Sequence, residues 1–138
     1  MRILLLQIRD ADDPIAAQEA DVFVHAIGDD SADLHIADLL TGGPTEEELE
    51  RADIVIIGGS GNYSAVDDEP WLESAFTKLQ WLYDHRKPTF AICWGCQAMA
   101  RVLGGKTIHD SAHGELGAIS VTATPAAASD PLFGPQGS

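Results

Sequence analysis

The stretch that most constrains the fold begins after Pro88 and ends at a glycine pair, Gly104 and Gly105. Its first residues are an apolar run that predicts a buried strand, and its later residues have helical spacing up to the glycines. Cys93 lies between the two, so we expect it at a strand-to-helix turn, where backbone N–H groups and the positive end of a helix dipole face its sulfur. This is the geometry of a nucleophile elbow with sulfur in place of oxygen. The simpler alternative is a buried structural cysteine.

The rest of the chain repeats the same alternation of apolar strand and amphipathic helix. Each strand followed by a helix implies a crossover to a parallel strand, with the functional site at the carboxyl ends of the strands. We therefore predict an α/β fold, a flavodoxin- or Rossmann-like three-layer sandwich with helices on both faces of a mostly parallel sheet. Besides the strand that leads to Cys93, strands are predicted at residues 3–8, 34–40, 53–57, 106–108 and 119–124, and helices begin near Pro14, Thr45 and Pro70.

Length and charge exclude several classes of protein. A chain of 138 residues is one domain by size and can bury a core. Its formal charge of −14 argues against nucleic acid and against an anionic membrane surface as partners. The apolar run near the N-terminus is too short for a signal peptide, and no stretch is long enough to span a membrane.

The two cysteines of the chain, Cys93 and Cys96, form a C-x-x-C pair. Such a pair is found in thioredoxin-like redox sites and as half of a zinc site. A zinc site would need two more ligands with comparable spacing, and none is convincing, so neither a metal nor another cofactor is expected. The absence of further cysteines fits a reducing, cytoplasmic location.

A glycine-rich turn follows the strand at residues 53–57. Gly58, Gly59 and Ser60 open it, but it lacks the Lys-Ser/Thr of a P-loop and the spacing of a dinucleotide site. Nucleotide binding is therefore weakly indicated, and a simple loop remains the alternative.

Residues 91–97, Ala-Ile-Cys-Trp-Gly-Cys-Gln, resemble the nucleophile motif of class I glutamine amidotransferases. That motif runs Gly-x-Cys-x-Gly and is most often followed by His-Gln, so Ala91 stands where glycine is usual and Cys96 where histidine is usual. The Gly-Gly-Ser turn at residues 58–60 matches a family element, and its extension is similar to stand-alone members related to the GMP synthase amidotransferase domain. Residues 115–117, Glu-Leu-Gly, resemble a further family element.

The resemblance implies hydrolysis of the side-chain amide of glutamine through a cysteine thioester. The ammonia would be passed to a synthase domain or subunit, whose identity the sequence does not name. The residues implied are Cys93 as nucleophile, the backbone N–H groups of Gly59 and Trp94 as oxyanion donors, and Gly58, Ser60 and Gln97 as substrate-binding residues.

The family base is a histidine with a glutamate two residues on, downstream of the last residue here. The one His-x-Glu of this sequence, His113 with Glu115, aligns with a different element, and neither His113 nor His109 is expected to be the base. We therefore expect the chain to be the N-terminal portion of the domain, with little turnover alone and an uncovered sheet edge that favours self-association. The alternatives are a non-catalytic flavodoxin-like binding domain, or another cysteine hydrolase of the superfamily, such as a class I amidotransferase-like peptidase.

Overall fold

A computed structural model describes residues 1–29, 31–114, 117–118 and 120–131 of the chain, without the side chain of His113. Within these residues, four strands alternate with four α-helices, and short 3₁₀ turns lie at Leu39–Thr41, Ser111–His113 and Pro125–Ser129. The strands are β1 (Arg2–Gln7), β2 (Asp33–Asp38), β3 (Ile54–Ile57) and β4 (Thr89–Ala91), and the helices are α1 (Ile15–Ile27), α2 (Glu46–Arg51), α3 (Pro70–Asp84) and α4 (Trp94–Val102).

The four strands form one parallel sheet in the order β2-β1-β3-β4. The chain moves outward from β1 to β2 and then returns past β1 to β3, so the order reverses between β1 and β3. In open α/β sheets, ligands bind in the crevice at such a reversal, outside the carboxyl ends of the strands. The sheet confirms the predicted α/β class. A ligand site is therefore expected at the loops after β1 and β3.

One face of the sheet, here called the three-helix face, carries α2, α3 and α4. Strand side chains alternate between faces, and those that point here meet the apolar sides of the three helices. Trp71 and Trp81 are half-buried against this cluster. The buried members of the cluster are Leu4, Leu6, Ile8, Leu39, Leu49, Ala52, Val55, Ile57, Ala65, Leu72, Ala75, Leu79, Leu82, Trp94 and Ala98.

The opposite face, here called the one-helix face, is covered by α1. Its buried cluster comprises Ile3, Leu5 and Ile56. The register places Ile36 of β2 and Phe90 of β4 in one row with Leu5 and Ile56, yet these two outer side chains are 50% and 53% exposed. Among the described residues, a single helix therefore covers the two central strands and leaves apolar side chains of the outer strands in contact with solvent.

The helix ends follow their local sequence signals. A capping box of Thr45 and Glu48 is present at the start of α2, near the predicted helix start. At the start of α1 the carboxylate of Asp13 accepts the N–H of Ile15 at 2.8 Å. At its end Gly28 adopts a left-handed conformation, with φ 63°, and donates its N–H to the carbonyl of Val24.

The predictions of strands at residues 106–108 and 119–124 are wrong. The structure describes all of these residues except residue 119, and none of those described is in a strand. Neither segment pairs with a described strand; instead the hydroxyl of Thr107 donates to the carbonyl of Gln97 in α4 at 3.0 Å. Ile108 is 61% exposed and Val121 is 84% exposed. An apolar run forms a strand only where a neighbouring backbone accepts its hydrogen bonds, and these segments have no such neighbour among the described residues.

Candidate active site

Cys93 lies between β4 and α4 in a backbone conformation that side chains rarely adopt. Its φ is 50° and its ψ is −110°. Such a conformation costs on the order of 1–3 kcal/mol and persists only where the surrounding structure fixes it. Three backbone hydrogen bonds fix it here, from Ile92 to Ile57 at 3.0 Å, from Gly95 to Ile92 at 2.8 Å, and from Gln97 to Cys93 at 3.1 Å. The strand-to-helix turn predicted at this cysteine is present.

The glycine two residues after the cysteine lets α4 approach β3 closely. A Cβ added at Gly95 would lie 2.7 Å from both the carbonyl oxygen and the Cγ2 of Ile57, too close for any side chain. The N–H of Gly95 also donates to the carbonyl of Gly58 at 3.2 Å. The close approach therefore links the turn after β3 to the first turn of α4.

The residue after the cysteine is held by aromatic packing. Trp94 is 1% exposed, and its ring lies 5.6 Å from that of Trp71, which in turn meets the ring of Tyr63 edge-on at 5.6 Å. The backbone N–H of Trp94 donates to no acceptor in the part of the chain that the structure describes. This N–H was predicted to be an oxyanion donor, and the packing fixes the residue that carries it.

The two thiols differ in their positions on α4. Cys93 occupies the N-cap position, whereas Cys96 is the third residue of the helix. Both are exposed and neither forms a disulfide, which rules out the alternative of a buried structural cysteine. The positive end of the helix dipole acts most strongly on groups at the first turn.

The glycine turn after β3 faces the cysteine. A Cβ added at Gly59 would lie 3.4 Å from the Cβ and 3.8 Å from the Sγ of Cys93. Gly58 extends the sheet by donating its N–H to the carbonyl of Leu6 at 3.0 Å. The structure thus brings together Gly58, Gly59, Cys93 and Trp94, four of the residues singled out from the sequence.

A carboxylate from α1 occupies the other side of this turn. Glu19 accepts the N–H of Gly59 on its Oε1 at 3.1 Å, and the side-chain amide of Gln7 on its Oε2 at 3.1 Å. The guanidinium of Arg9 pairs with Glu19 at 3.4 Å and with Asp13 at 3.2 Å. Partial burial lowers the pKa of Arg9, but hydrogen bonds and charges of the two carboxylates outweigh it and raise that pKa above its ordinary value.

Glu19 was not among the site residues predicted from the sequence. The signal that could have identified it is an acidic residue at helical spacing among apolar residues, because a charge on an inward side must find partners. Those partners are Gln7 at the end of β1 and Arg9 in the next loop, and nothing in the local sequence pairs them with Gly59. The contact depends on the order of the strands, which brings the ends of β1 and β3 together.

A second set of polar contacts ties the same two loops together. The hydroxyl of Tyr63 donates to Asp10 at 2.6 Å, and the amide of Asn62 donates to Asp10 at 3.1 Å. These bonds, that of Tyr63 first, hold the pKa of Asp10 below its ordinary value, and the same bond raises the pKa of Tyr63. Ser60, a predicted substrate residue, uses its hydroxyl to accept the N–H of Tyr63 at 3.1 Å. Its visible role is to shape the turn.

Among the remaining candidate residues that the structure describes, the side chains of Gln97 and His109 make none of these contacts. Gln97 is exposed on α4, one helical turn after Cys93. The imidazole of His109 is 72% exposed and lies 3.6 Å from the carboxylate of Asp67. The side chain of His113 and all of Glu115 lie outside the described residues, so their predicted absence from the site stays a prediction.

Two further kinds of feature are absent from the part of the chain that the structure describes. No group of three or more His, Cys, Asp and Glu side chains there is arranged to hold a metal ion. No helix in that part of the chain is long and apolar enough to cross a membrane.

The strand-turn-helix geometry agrees with a family-wide comparison. Residues 20–129 match the family described as glutamine amidotransferase class-I. The chain belongs to this family. Among curated relatives, gamma-glutamyl peptidase 5 of Arabidopsis thaliana is 31% identical over 102 residues, which are 73% of this chain and 40% of that protein. Gamma-glutamyl peptidase 4 of the same plant is 33% identical over 86 residues, 62% of this chain and 34% of that protein.

Solved structures show the same likeness. A glutamine amidotransferase from Thermotoga maritima superposes with a TM-score of 0.56 at 26% identity, over 75% of this chain and 43% of that one. A glutamine amido transferase from Methylobacillus Flagellatus superposes with a TM-score of 0.58 at 22% identity, over 84% of this chain and 43% of that one, and shows the shared fold. The chain thus spans less than half the length of these relatives.

Two positions depart from the amidotransferase motif, and the structure accommodates both. Ala91 ends β4 and pairs with Ile57 in the sheet, so its Cβ takes an ordinary, half-buried strand position. Cys96 is exposed on α4, where a side chain of another size meets little resistance. Neither substitution prevents the turn at Cys93.

Proposed function

We propose that this chain carries the nucleophile half of an amidotransferase-type site that hydrolyses γ-glutamyl amides through a thioester on Cys93. The observation that carries the proposal is the close approach of Gly59 to Cys93. A Cβ added at Gly59 would lie 3.8 Å from the Sγ of Cys93. A substrate carbonyl has room there because glycine has no side chain, and the thiol is exposed. Belonging to the amidotransferase family supports the same chemistry.

In the proposed reaction, the thiolate of Cys93 attacks the γ-carbonyl carbon. The thiol proton is lost to solvent, a carbon–sulfur bond forms, the carbon–nitrogen bond breaks, and the leaving amine takes up a proton from solvent. Water then hydrolyses the thioester to glutamate and free thiol. The oxyanion would be met by the N–H groups of Trp94 and Gly59, each worth on the order of 3 kcal/mol of barrier. The N-terminal end of α4 stabilises negative charge at the same place.

The leaving group separates two candidate substrates that share this acyl chemistry. Glutamine, which releases ammonia, is the first candidate because of the family, and the ammonia would serve a synthase domain or subunit. A γ-glutamyl peptide, which releases an amino acid, is the second, because the curated relatives are named gamma-glutamyl peptidases. Both give the same thioester on Cys93.

The chain alone is proposed to form the thioester faster than it turns over. Catalytic members of such a site act as a unit, so loss of the base costs several orders of magnitude in rate. No histidine whose side chain is described hydrogen-bonds to Cys93, and His109 lies against Asp67. Deprotonation by solvent would leave the nucleophile usable but slow.

Acid-quenched incubation with glutamine or with a γ-glutamyl dipeptide, followed by peptide mass spectrometry, tests the proposal. We expect a glutamyl adduct on Cys93 in the wild-type protein and in Cys96→Ala, and none in Cys93→Ala. The exposed thiol of Cys96 makes Cys96→Ala a matched control. The faster-acylating substrate identifies the leaving group.

Three outcomes would contradict the proposal or a part of it. An adduct on Cys96 alone would mean that the turn at Cys93 does not present the nucleophile. Saturable binding of either substrate without any adduct would favour the non-catalytic binding domain. Ammonia release well above that of Cys93→Ala, and lost in His113→Ala, would show instead that the chain holds its own base.

A further inference from the structure

One of the two N–H groups predicted to stabilise the oxyanion, that of Gly59, already has an acceptor. Gly59 donates to Oε1 of Glu19 at 3.1 Å, within the range of a good hydrogen bond. The side chain of Glu19 is 10% exposed, so the bond is largely shielded from water. A hydrogen bond to a charged, shielded acceptor is among the stronger ones in proteins.

The carboxylate is itself held in place from three directions. Gln7, at the end of β1, donates to its Oε2 at 3.1 Å, and its amide also reaches the carbonyl of Ala16 at 2.8 Å. Arg9 supplies the compensating positive charge at 3.4 Å. A Cβ added at Gly58 would lie 2.8 Å from Oε1 of Glu19, so the turn and the carboxylate fill the space between them.

We propose that Glu19 is a positioning residue of the site, whose carboxylate holds the N–H of Gly59 in the resting protein and yields it to the carbonyl oxygen of a bound substrate. The second step, in which the N–H of Gly59 bonds to substrate, rests on the proposed function. One N–H group has one proton and cannot serve two strong acceptors well. An oxyanion beside an unshifted carboxylate would also be repelled by it, so the exchange has to move the carboxylate or the turn.

Arg9 makes this change of hydrogen-bond acceptor feasible. When Glu19 gives up the N–H of Gly59, its negative charge keeps the guanidinium of Arg9 and the amide of Gln7 as partners. No charge is left unpaired, which would otherwise be the main cost of breaking a shielded polar contact. The contact therefore couples the position of α1 to the availability of the donor beside Cys93.

Amide hydrogen exchange at Gly59, followed by NMR on the 138-residue chain, tests the resting contact. In Glu19→Gln the acceptor loses its charge, and in Glu19→Asp the carboxylate keeps its charge but is drawn back from Gly59. We expect exchange at Gly59 to be about fivefold faster or more in both, the factor expected when a charged acceptor is lost or weakened. The exposed Glu46→Gln on α2 is the matched control, with no change expected.

The N–H of Gly95 serves as the internal reference, because it is bonded to Gly58 and Ile92 and makes no contact with Glu19. A purely structural role would accelerate exchange at Gly95 as much as at Gly59, and that result overturns the proposal. Unchanged exchange at Gly59 in both variants overturns it as well. Faster exchange confined to Gly59 supports it.

Two reagents that label Cys93 test whether the N–H of Gly59 changes its acceptor from Glu19 to a substrate carbonyl. A glutamine-derived chloroketone presents a carbonyl oxygen to the oxyanion donors, whereas a methanethiosulfonate has no carbonyl and reports the thiol alone. We expect the ratio of the two labelling rates to rise about fivefold in Glu19→Gln, since the N–H of Gly59 is then easier to take over. An unchanged or lower ratio overturns the proposal. Failure of the proposed function is distinct from this, because the chloroketone would then label Cys93 in neither protein.

Discussion

The two faces of the sheet hold the two halves of the candidate site in different ways. Cys93 and Trp94 depend on the three-helix face, where Trp94 is buried among apolar side chains and α4 packs directly against β3. Gly59 depends on the one-helix face, where α1 reaches it through the carboxylate of Glu19. Apolar packing fixes a position through many small contacts, whereas a polar contact has few partners and can exchange them.

The difference suggests a division of labour. The residue that must be presented in a strained conformation is built on the densely packed face, because strain persists only where the surroundings fix it. The donor that must respond to substrate is held by hydrogen bonds.

The largest expected effect comes from two adjacent isoleucines of β3. Ile57 points to the three-helix face and is 0% exposed, whereas Ile56 points to the one-helix face and is 5% exposed. We expect Ile57→Ala to lower the free energy of unfolding by about 4 kcal/mol and Ile56→Ala by about 2 kcal/mol, because a site under one helix relaxes into the cavity more easily.

Urea denaturation of both variants measures this difference, and Val22→Ala on α1, at a 57% exposed position, is the surface control. Equal losses for Ile56→Ala and Ile57→Ala would show that the two faces are equally rigid. A difference in packing would then not explain why the two halves of the site are held differently.

The second effect concerns the close approach of α4 to β3. In Gly95→Ala the new Cβ would meet Ile57 at 2.7 Å, so the helix must shift away from the strand and take Cys93 with it. Overpacking of this kind costs about 1–3 kcal/mol. We expect that loss in urea denaturation, together with slower alkylation of Cys93.

Gly61→Ala is the matched control, because a Cβ at Gly61 meets nothing within 4 Å. Its stability should stay within about 0.5 kcal/mol of the wild type. If Gly95→Ala behaves like this control, the approach of α4 is not what holds the turn in place.

Much of this arrangement could be predicted from the sequence, since it depends on local signals. The strand-to-helix turn at Cys93 follows from an apolar run, a cysteine and a helix, and the capping box of α2 from two residues three apart. The sheet class follows from the alternation of strands and helices. The approach of Gly59 to Cys93 was reached through the family resemblance and not through spacing.

What could not be predicted depends on partners distant in sequence. The contact between Glu19 and Gly59 joins residues forty positions apart and requires the order of the strands. The strands expected at residues 106–108 and 119–124 had the right apolar composition but no neighbouring strand among the described residues. The exposure of Phe90 likewise follows from how little of the sheet one helix covers, which a strand pattern does not report.

The smallest expected effect concerns the bond that connects the two faces. Asp10, in the loop before α1, accepts the hydroxyl of Tyr63, whose ring packs on Trp71 of the three-helix face. This bond, and then that of Asn62, lowers the pKa of Asp10. A carboxyl whose pKa is lower when folded adds stability above its unfolded pKa and loses it as the pH falls through its folded pKa.

In Tyr63→Phe the larger cause of that shift is gone, so the pKa of Asp10 should rise toward its ordinary value. The stability difference from the wild type should be present at neutral pH and shrink in acid. Carboxyl NMR titration of Asp10 measures the pKa, with Tyr83→Phe, at a 58% exposed position on α3, as the matched control. If Asp10 titrates alike in Tyr63→Phe and the control, the hydroxyl of Tyr63 does not join the two loops in solution. Amide hydrogen exchange at Gly59 should then also be unaffected by Tyr63→Phe.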